Sequence, residues 1–138
     1  MSEANKRTIR VVREEVMRSG QLDRLIGLYT DDYVYHGVPM IGDLRGPNAF
    51  KDLITGFINA VSGFQETVED QIAEGDKVVT RISGRGTHTG ELMGVAPSGN
   101  QMKWTAIVIS RFVNGKIAEE WAEFDALSFS QQLSALRT

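Results

Sequence analysis

The side chain best placed to do chemistry in this sequence is the carboxylate of Glu120. It lies in Met102–Asp125, a stretch rich in β-branched and aromatic residues that Asn114-Gly115 divides into two predicted strands. On the register that we favour, Glu120 shares its face with Ala106, Val108, Ser110, Ala118, Ala122 and Phe124. It is then the lone ionisable group on a face that could line a cavity, and we predict that it acts there as a general base. A surface carboxylate within the Glu119-Glu120 pair is the alternative.

The turn at Asn114-Gly115 decides which residues of the two strands face one another. A two-residue turn would place Val108 opposite Trp121, whereas a three-residue turn with Gly115 in a bulge would place Val108 opposite Glu120. We favour the second register because it collects the small side chains around Glu120. The other face is bulkier and suits packing against another sheet or subunit: Thr105, Ile107, Ile109, Arg111, Ile117, Glu119 and Trp121.

His36 is the second candidate for proton transfer. The reference pKa of an imidazole, about 6.5, lies near physiological pH, and His36 ends a short predicted strand that begins at Tyr33. His36 could act as a base or orient a ligand, and the hydroxyl of Tyr33 or Tyr35 could donate a hydrogen bond to an enolate oxygen. A solvated loop histidine beside packed tyrosines is the alternative. His88, in Gly-Thr-His-Thr-Gly, could face the cavity or hold its loop by bonding backbone.

Large aromatic side chains could wall a planar ligand. The candidates are Phe57, Trp104 and Phe124, and for some of them simple core packing is the alternative. Asp125, at the end of the second strand, could be a base at the cavity mouth. The alternative that we favour is that it caps the helix that follows, since aspartate is a favoured N-cap.

The secondary structure that holds these residues consists of helices in the first part of the chain and strands after them. Helical spacing of apolar residues predicts helices at Ala4–Ser19 and Gln21–Tyr29 and from Pro47 to Val61, and Ser128–Leu136 is predicted as a short terminal helix or tail. Strands are predicted at Tyr33–His36, Phe64–Ala73 and Lys77–Leu92 and in the two arms of the hairpin, with loops at Gly37–Gly46 and Met93–Gln101. This segregation predicts an α+β fold with helices on one face of an antiparallel sheet. The length of 138 residues predicts one domain, residues 1–138.

The amino-acid composition argues against several functional classes. The net charge of −3 offers no electrostatic reason to expect a nucleic acid or an anionic membrane as a partner. With no cysteine and two histidines, neither a thiolate nor a histidine-rich metal site is expected. The N-terminus lacks the apolar core of a signal peptide, and no apolar run approaches a membrane span, so we predict a cytoplasmic protein.

Several motifs, taken in order, resemble the SnoaL-like polyketide cyclases. They are the stretch 86–94, Gly-Thr-His-Thr-Gly-Glu-Leu-Met-Gly, followed by Pro97-Ser98-Gly99, with Gly46-Pro47 before the third helix and Gly115-Lys116-Ile117, Glu119, Trp121, Asp125 and Gln132-Leu133 later. The resemblance covers nearly the whole chain. It implies a cone like that of nuclear transport factor 2, in which a strongly curved sheet wraps around the N-terminal helices, encloses a pocket and forms homodimers through its open face.

The same resemblance implies a reaction. The characterised cyclases close the last ring of aromatic polyketides by an intramolecular aldol condensation, without metal or cofactor, and an acidic residue on the last long strand moves the proton. This sequence has Ala122 at the position of that acid, and Ala106 and Val108 where polar partners are expected. The catalytic residue of the family is therefore not carried over, although the fold is.

Two functions from different classes follow. The first is a cofactor-independent, SnoaL-like enzyme that performs aldol cyclisation or isomerisation on a small, apolar or aromatic carbonyl compound, with Glu120 in place of the missing acid. The second is a non-catalytic protein that binds a hydrophobic ligand. Water activation for epoxide hydrolysis is a third possibility, but the sequence shows no convincing acid–arginine–acid trio for it.

Overall fold

The computed structural model describes residues 2–38 and 41–134. Its helices are α1 (Ser2–Arg10), a π-helical segment (Val11–Val16), α2 (Met17–Ser19), a 3-10 helix (Leu22–Leu28), α3 (Pro47–Ala60) and α4 (Ala126–Ser134). Its strands are β1 (Tyr29–Val38), β2 (Gly42–Arg45), β3 (Val61–Glu74), β4 (Lys77–His88), β5 (Gln101–Val113) and β6 (Lys116–Phe124).

The six described strands form one sheet in the order β2-β1-β6-β5-β4-β3, so the predicted hairpin, β5–β6, lies at its centre. Bulges interrupt the pairing of β3 with β4 at two places, and bulges bend and twist a sheet. The α+β class and the curved sheet are confirmed. The prediction of an antiparallel sheet holds for every neighbouring pair except β1 and β6, which are parallel.

The helices pack into the concave side of this sheet because each carries an apolar stripe. The predicted stripe of the first helix, Ile9, Val12 and Val16, is buried, as are Phe50 and Ile54 of α3. Pro47 occupies the first turn of α3, as predicted. The helix ends at Ala60, one residue earlier than the apolar period suggests, because Val61 already belongs to β3.

Four local predictions need correction. The second predicted helix is a 3-10 helix, and the predicted loop after His36 contains the short strand β2. The strand predicted at Tyr33–His36 is ten residues long, because β1 pairs with β2 on one side and with β6 on the other. Such partners are distant in sequence and leave no local signal. The last helix begins at Ala126, and the part of its predicted span beyond Ser134 lies outside the described residues.

Neither predicted register describes the whole hairpin. Asn114 and Gly115 both have positive φ, 51° and 78°, and form a two-residue turn that pairs Val113 with Lys116. A bulge then shifts β6, so that Val108 lies opposite Ala122. This differs by two residues from the register that we favoured, and a shift of two keeps side chains on the same face. Ala106, Val108, Ser110, Glu120, Ala122 and Phe124 therefore do share one face, whereas Ile117, before the bulge, is buried in the core rather than on the outer face.

Candidate active site

A largely apolar cavity of about 160 Å³ lies between the helices and the concave face of the sheet. Its apolar lining comes from α3, from the strands and from α4, and includes Leu53, Ile54, Phe57, Phe64, Trp104, Ala106, Val108, Ala122, Phe124 and Phe129. Ile41 and Met93 also line it and are themselves well exposed, so they mark its mouth. Among the described lining residues, the side chains that carry a full charge are Arg13 and Glu66.

Arg13 and Glu66 form a buried ion pair at the cavity wall. Arg13 Nη1 donates to Glu66 Oε1 at 3.2 Å, and Trp104 Nε1 donates to Glu66 Oε2 at 3.0 Å. The side chains of Arg13 and Glu66 are only 8% and 7% exposed. A carboxylate oxygen has two lone pairs, so each oxygen of Glu66 keeps one acceptor position after these bonds. The pair thus holds Glu66 in place without using up its capacity to accept a proton.

The second amino group of Arg13 is unusual. Nη2 is buried and has no hydrogen-bond acceptor among the described residues. Burial by itself lowers the pKa of Arg13, but the negative charges of Glu66 and Glu120 more than offset this, so that its pKa lies above the ordinary value. Arg13 is therefore a permanent cation at an apolar cavity, with one donor group unpaired.

Tyr35 lines the same cavity and is close enough to Arg13 to feel its charge. Burial raises the pKa of Tyr35, and the Arg13 charge offsets only part of that rise. The phenol therefore keeps its proton and remains a possible hydrogen-bond donor at neutral pH. Tyr35 thus lies at the cavity, and its role toward a ligand stays a prediction.

Glu120 is buried, but it is not among the residues that line the cavity. It is 1% exposed, Tyr33 Oη donates to its Oε1 at 2.7 Å, and Ser110 Oγ donates to its Oε2 at 2.5 Å. Burial and the Glu120 charge raise the pKa of Tyr33 well above its ordinary value, so Tyr33 stays a donor. The alternative of a surface carboxylate is wrong. Yet Glu120 and Tyr33 both lie behind the cavity wall, where they hold each other rather than a ligand.

The predicted aromatic wall is present. Phe57, Trp104 and Phe124 all line the cavity and surround Phe129 of α4, with ring centroids 5.9–6.0 Å from it. Trp104 can lie flat across the sheet because Gly84, opposite it on β4, has no side chain. A Cβ at Gly84 would overlap the indole ring.

His36 lies on the outer face of the sheet, and this corrects the prediction that it borders the cavity. Its ring stacks on Trp121 at 5.4 Å, and its two nitrogens lie 2.9 Å from Asp43 and 2.7 Å from Glu119. Glu119 also accepts a hydrogen bond from Arg111. The register explains the placement, because His36 pairs with Trp121, whose side chain points away from the helices. His36 is therefore part of a surface charge network and is not among the residues that line the cavity.

This network makes a pH-dependent contribution to stability. The hydrogen bond to Glu119 is the main cause that raises the pKa of His36 above 6.5, and the same bond lowers the pKa of Glu119 below 4.5. The contribution of His36 to the free energy of unfolding is therefore complete below 6.5, the pKa of His36 in the unfolded chain. It is lost as the pH rises through the higher pKa that His36 has in the folded protein. We expect His36→Gln to lower the free energy of unfolding by about 0.5–1 kcal/mol near pH 6 and by much less near pH 9. Urea unfolding at the two pH values measures this, and an equal effect at both would contradict it.

His88 is fully buried and serves the loop that follows β4. Its Nδ1 lies 2.9 Å from Ser98 Oγ and accepts the Ser98 backbone N–H at 3.3 Å, while its backbone bonds to the 98–100 segment. It is not among the cavity-lining residues, so the predicted substrate contact is corrected in favour of the structural alternative. Asp125 likewise caps α4, since its Oδ1 accepts the Ser128 N–H at 3.0 Å.

Arg13 and Glu66 were not predicted as site residues, although each has an unusual position in the sequence pattern. Arg13 falls on the apolar stripe of the first helix, four residues after Ile9 and four before Met17, where a charged residue is out of place. Glu66 alternates with Phe64 on the inward face of β3. Arg13 also belongs to the π-helical segment, and such segments are frequent at functional sites.

The structure also brings together an acid–arginine–acid set that the sequence did not reveal. Arg13 is paired with Glu66 and lies within the electrostatic range of Glu120. In residues 2–38 and 41–134, no group of three or more histidine and acidic side chains is arranged to hold a metal ion. No helix in the same residues is long and apolar enough to cross a bilayer.

Comparisons with known proteins identify relatives over most of the chain. The model of the SnoaL-like polyketide cyclase family matches residues 7–133. Aklanonic acid methyl ester cyclase AcmA of Streptomyces galilaeus is 29% identical over 113 residues, which cover 80% of this chain and 78% of that protein.

Solved structures match over nearly the full chain. IdmH of Streptomyces antibioticus has a TM-score of 0.81 and 30% identity, covering 95% of this chain and 99% of that one. TsrD of Streptomyces laurentii has a TM-score of 0.85 and 25% identity, covering 97% of each chain. The cone expected from the sequence motifs is thereby confirmed.

Proposed function

The chain belongs to the SnoaL-like polyketide cyclase family, and on this basis we propose that it transfers a proton next to a carbonyl group of a small, largely apolar substrate. The observation that carries this proposal is Glu66, a buried carboxylate that lines an apolar cavity and is held by Arg13 and Trp104. The AcmA relative is a cyclase of a methyl ester, which supports a carbonyl compound as the substrate class here.

The step that we propose conserves all atoms of the substrate. Glu66 removes a proton from the carbon next to a carbonyl, and the electron pair of the C–H bond moves into the carbonyl to form an enolate. The enolate carbon attacks a second carbonyl of the same molecule, which forms one C–C bond and leaves an alkoxide. Glu66 then returns its proton to the alkoxide. In an isomerisation the proton returns to another carbon instead, and neither route consumes an oxidant, a reductant or a cofactor.

Glu66 therefore takes the role that we predicted for Glu120. The family position for the acid, Ala122, lines the cavity without any polar group, and Glu66 reaches the same cavity from β3. Glu120 becomes a positioning residue, since it fixes Tyr33 and contributes negative charge beside Arg13. A positioned general base contributes about 10²–10⁴-fold to the rate of such a step.

Proton exchange tests the proposal without knowledge of the natural substrate. In D₂O, the protein should accelerate loss of the α-proton NMR signal from small apolar β-keto esters above the rate in buffer. The His36→Gln variant should exchange as fast as the wild type, because His36 lies on the outer face. No acceleration with any ester of a graded size series would contradict the proposal.

Non-catalytic binding of a hydrophobic ligand is the second candidate. It is favoured by the apolar lining and by the fact that both Glu66 oxygens already accept a hydrogen bond. A protein of this kind would bind apolar carbonyl compounds and their hydrocarbon analogues without accelerating proton exchange. The deuterium experiment therefore separates the two candidates directly.

We also propose that a second copy of the chain covers the outer face of the sheet. Ile107 and Ile109 are 50% and 36% exposed there, next to the partly buried Trp121. A buried, unpaired carboxylate at such a contact should cost roughly 2–5 kcal/mol, so Ile107→Glu should weaken self-association by about 30-fold or more. Light scattering would then report a monomer of 15.3 kDa instead of a dimer. Leu127→Glu, on the exposed surface of α4, is the control, and a monomeric wild type would refute the proposal.

A further inference from the structure

The buried guanidinium of Arg13 has a donor group with no protein acceptor. Nη1 is engaged by Glu66, while Nη2 is shielded from solvent and has no hydrogen-bond partner among the described residues. Leaving a buried donor unpaired destabilises the folded protein, and more so when the group is charged. A native structure tolerates such a cost chiefly where the group has a function, and Arg13 lies at the wall of the cavity.

The charges around Arg13 determine which kind of acceptor fits. Two carboxylates, Glu66 and Glu120, already act on this one cation, so the buried cluster carries a net negative charge. A third full negative charge in the free ligand would be repelled. A neutral carbonyl oxygen meets no such penalty. When Glu66 takes a proton and becomes neutral, the same oxygen can acquire the negative charge, and the net charge beside Arg13 does not change.

We propose that Arg13 Nη2 binds the carbonyl oxygen of the substrate and the enolate oxygen formed from it. This deepens the proposed function and rests on it for the proton-transfer step. As the proton moves from the substrate carbon to Glu66, the negative charge moves from one side of the guanidinium to the other. A fixed cation between the two positions stabilises both, and it does not need to reorganise during the step. The protonated hydroxyl of Tyr35 is available as a second donor.

This anchor also orients the ligand. The oxygen is drawn to Arg13 at the polar part of the wall, and the carbon next to it then lies on the side of Glu66. The apolar body of the ligand extends along Phe57 and Trp104 toward the exposed mouth residues Ile41 and Met93. The site therefore takes a carbonyl group at one end of a planar, apolar skeleton, with the carbonyl inserted first.

A pair of isosteric probes tests the anchor by binding alone. Acetophenone and α-methylstyrene have nearly the same shape, but only acetophenone has an oxygen that can accept from Arg13. The ratio of their dissociation constants, measured by NMR titration, should shift against acetophenone by about tenfold or more when Nη2 is removed, since a hydrogen bond to a charged group contributes about 1.5–3 kcal/mol. The two probes differ in water solubility, but this difference enters the ratio of dissociation constants equally for every protein. It therefore cancels when the ratios of two proteins are compared.

The variants are chosen to keep the fold. Arg13→Lys retains the charge, but its single ammonium group is drawn to Glu66. Arg13→Met combined with Glu66→Met removes the ion pair as a unit, which buried pairs tolerate better than the loss of one partner. Arg10→Lys is the matched control, because Arg10 ends α1, directly before the π-helical segment that holds Arg13, and donates to Gln71 away from the cavity. The carbonyl stretch of bound ¹³C=O acetophenone should lie at lower frequency in the wild type than in the double variant.

The outcomes separate this inference from the proposed function. If the double variant keeps the wild-type probe ratio and carbonyl frequency, the Arg13 anchor is wrong, whatever happens to proton exchange. If Glu66→Gln keeps full proton exchange while the probe ratio still depends on Arg13, the proposed base is wrong and the anchor holds. We expect the Glu66→Gln protein to lose proton exchange but to keep the preference for acetophenone over α-methylstyrene, because Arg13 and its Nη2 group remain.

Discussion

Replacement of Glu66 by glutamine is expected to slow α-proton exchange by about 10²–10⁴-fold. Glutamine has nearly the same volume and can still accept one hydrogen bond from Arg13 or Trp104, but it cannot take up a proton at neutral pH. The substitution places an amide NH₂ beside one of the two donors, so a loss of about 1–3 kcal/mol in the free energy of unfolding should accompany it. Deuterium exchange by NMR gives the rate, and urea unfolding gives the stability.

Glu69→Gln is the matched control for this experiment. Glu69 lies on the same strand, is exposed, and accepts a hydrogen bond from Ser83 rather than from a cavity residue. We expect exchange by this variant to match the wild type. If Glu66→Gln exchanged as fast as Glu69→Gln, Glu66 would not be the base, and non-catalytic binding would become the better explanation of the cavity.

Replacement of Glu120 by alanine is expected to destabilise the protein by about 3–5 kcal/mol. The change leaves the buried hydroxyls of Tyr33 and Ser110 without their acceptor and removes one of the two negative charges that act on Arg13. Each unpaired buried hydroxyl costs about 1–3 kcal/mol. For a chain of this length, such a loss should lower the melting temperature by roughly 10–20 °C in a calorimetric scan.

The neighbouring glutamate provides the control for Glu120. Glu119 lies on the opposite face of β6 and pairs with His36 and Arg111 at the surface, so Glu119→Ala should cost only about 0.5–1 kcal/mol. Equal and small losses for both variants would show that Glu120 is not the structural centre of the buried polar cluster. A folded, stable Glu120→Ala protein without proton exchange would instead return Glu120 to the catalytic role predicted from the sequence.

Much of the fold was readable from the sequence because its cause is local. The apolar stripe after Pro47 predicts α3, and the alternation around Asn114-Gly115 predicts the central hairpin. The face shared by Glu120 and Ala122 survived an error of two residues in the register, because side chains alternate with a period of two. The family motifs then supplied the cone, which no periodicity in this chain could have specified.

The site itself was decided by contacts between distant segments. Arg13 and Glu66 are 53 residues apart and meet only because the first helix packs against β3. Which face of the sheet His36 occupies depends on the parallel pairing of β1 with β6, and a bulge after the turn decides where Glu120 lies. Which side chains can ionise and which segments are apolar follows directly from the amino-acid sequence. Which of those ionisable groups reach the cavity follows from the folded arrangement, since burial and pairing depend on the packing of elements far apart in the chain.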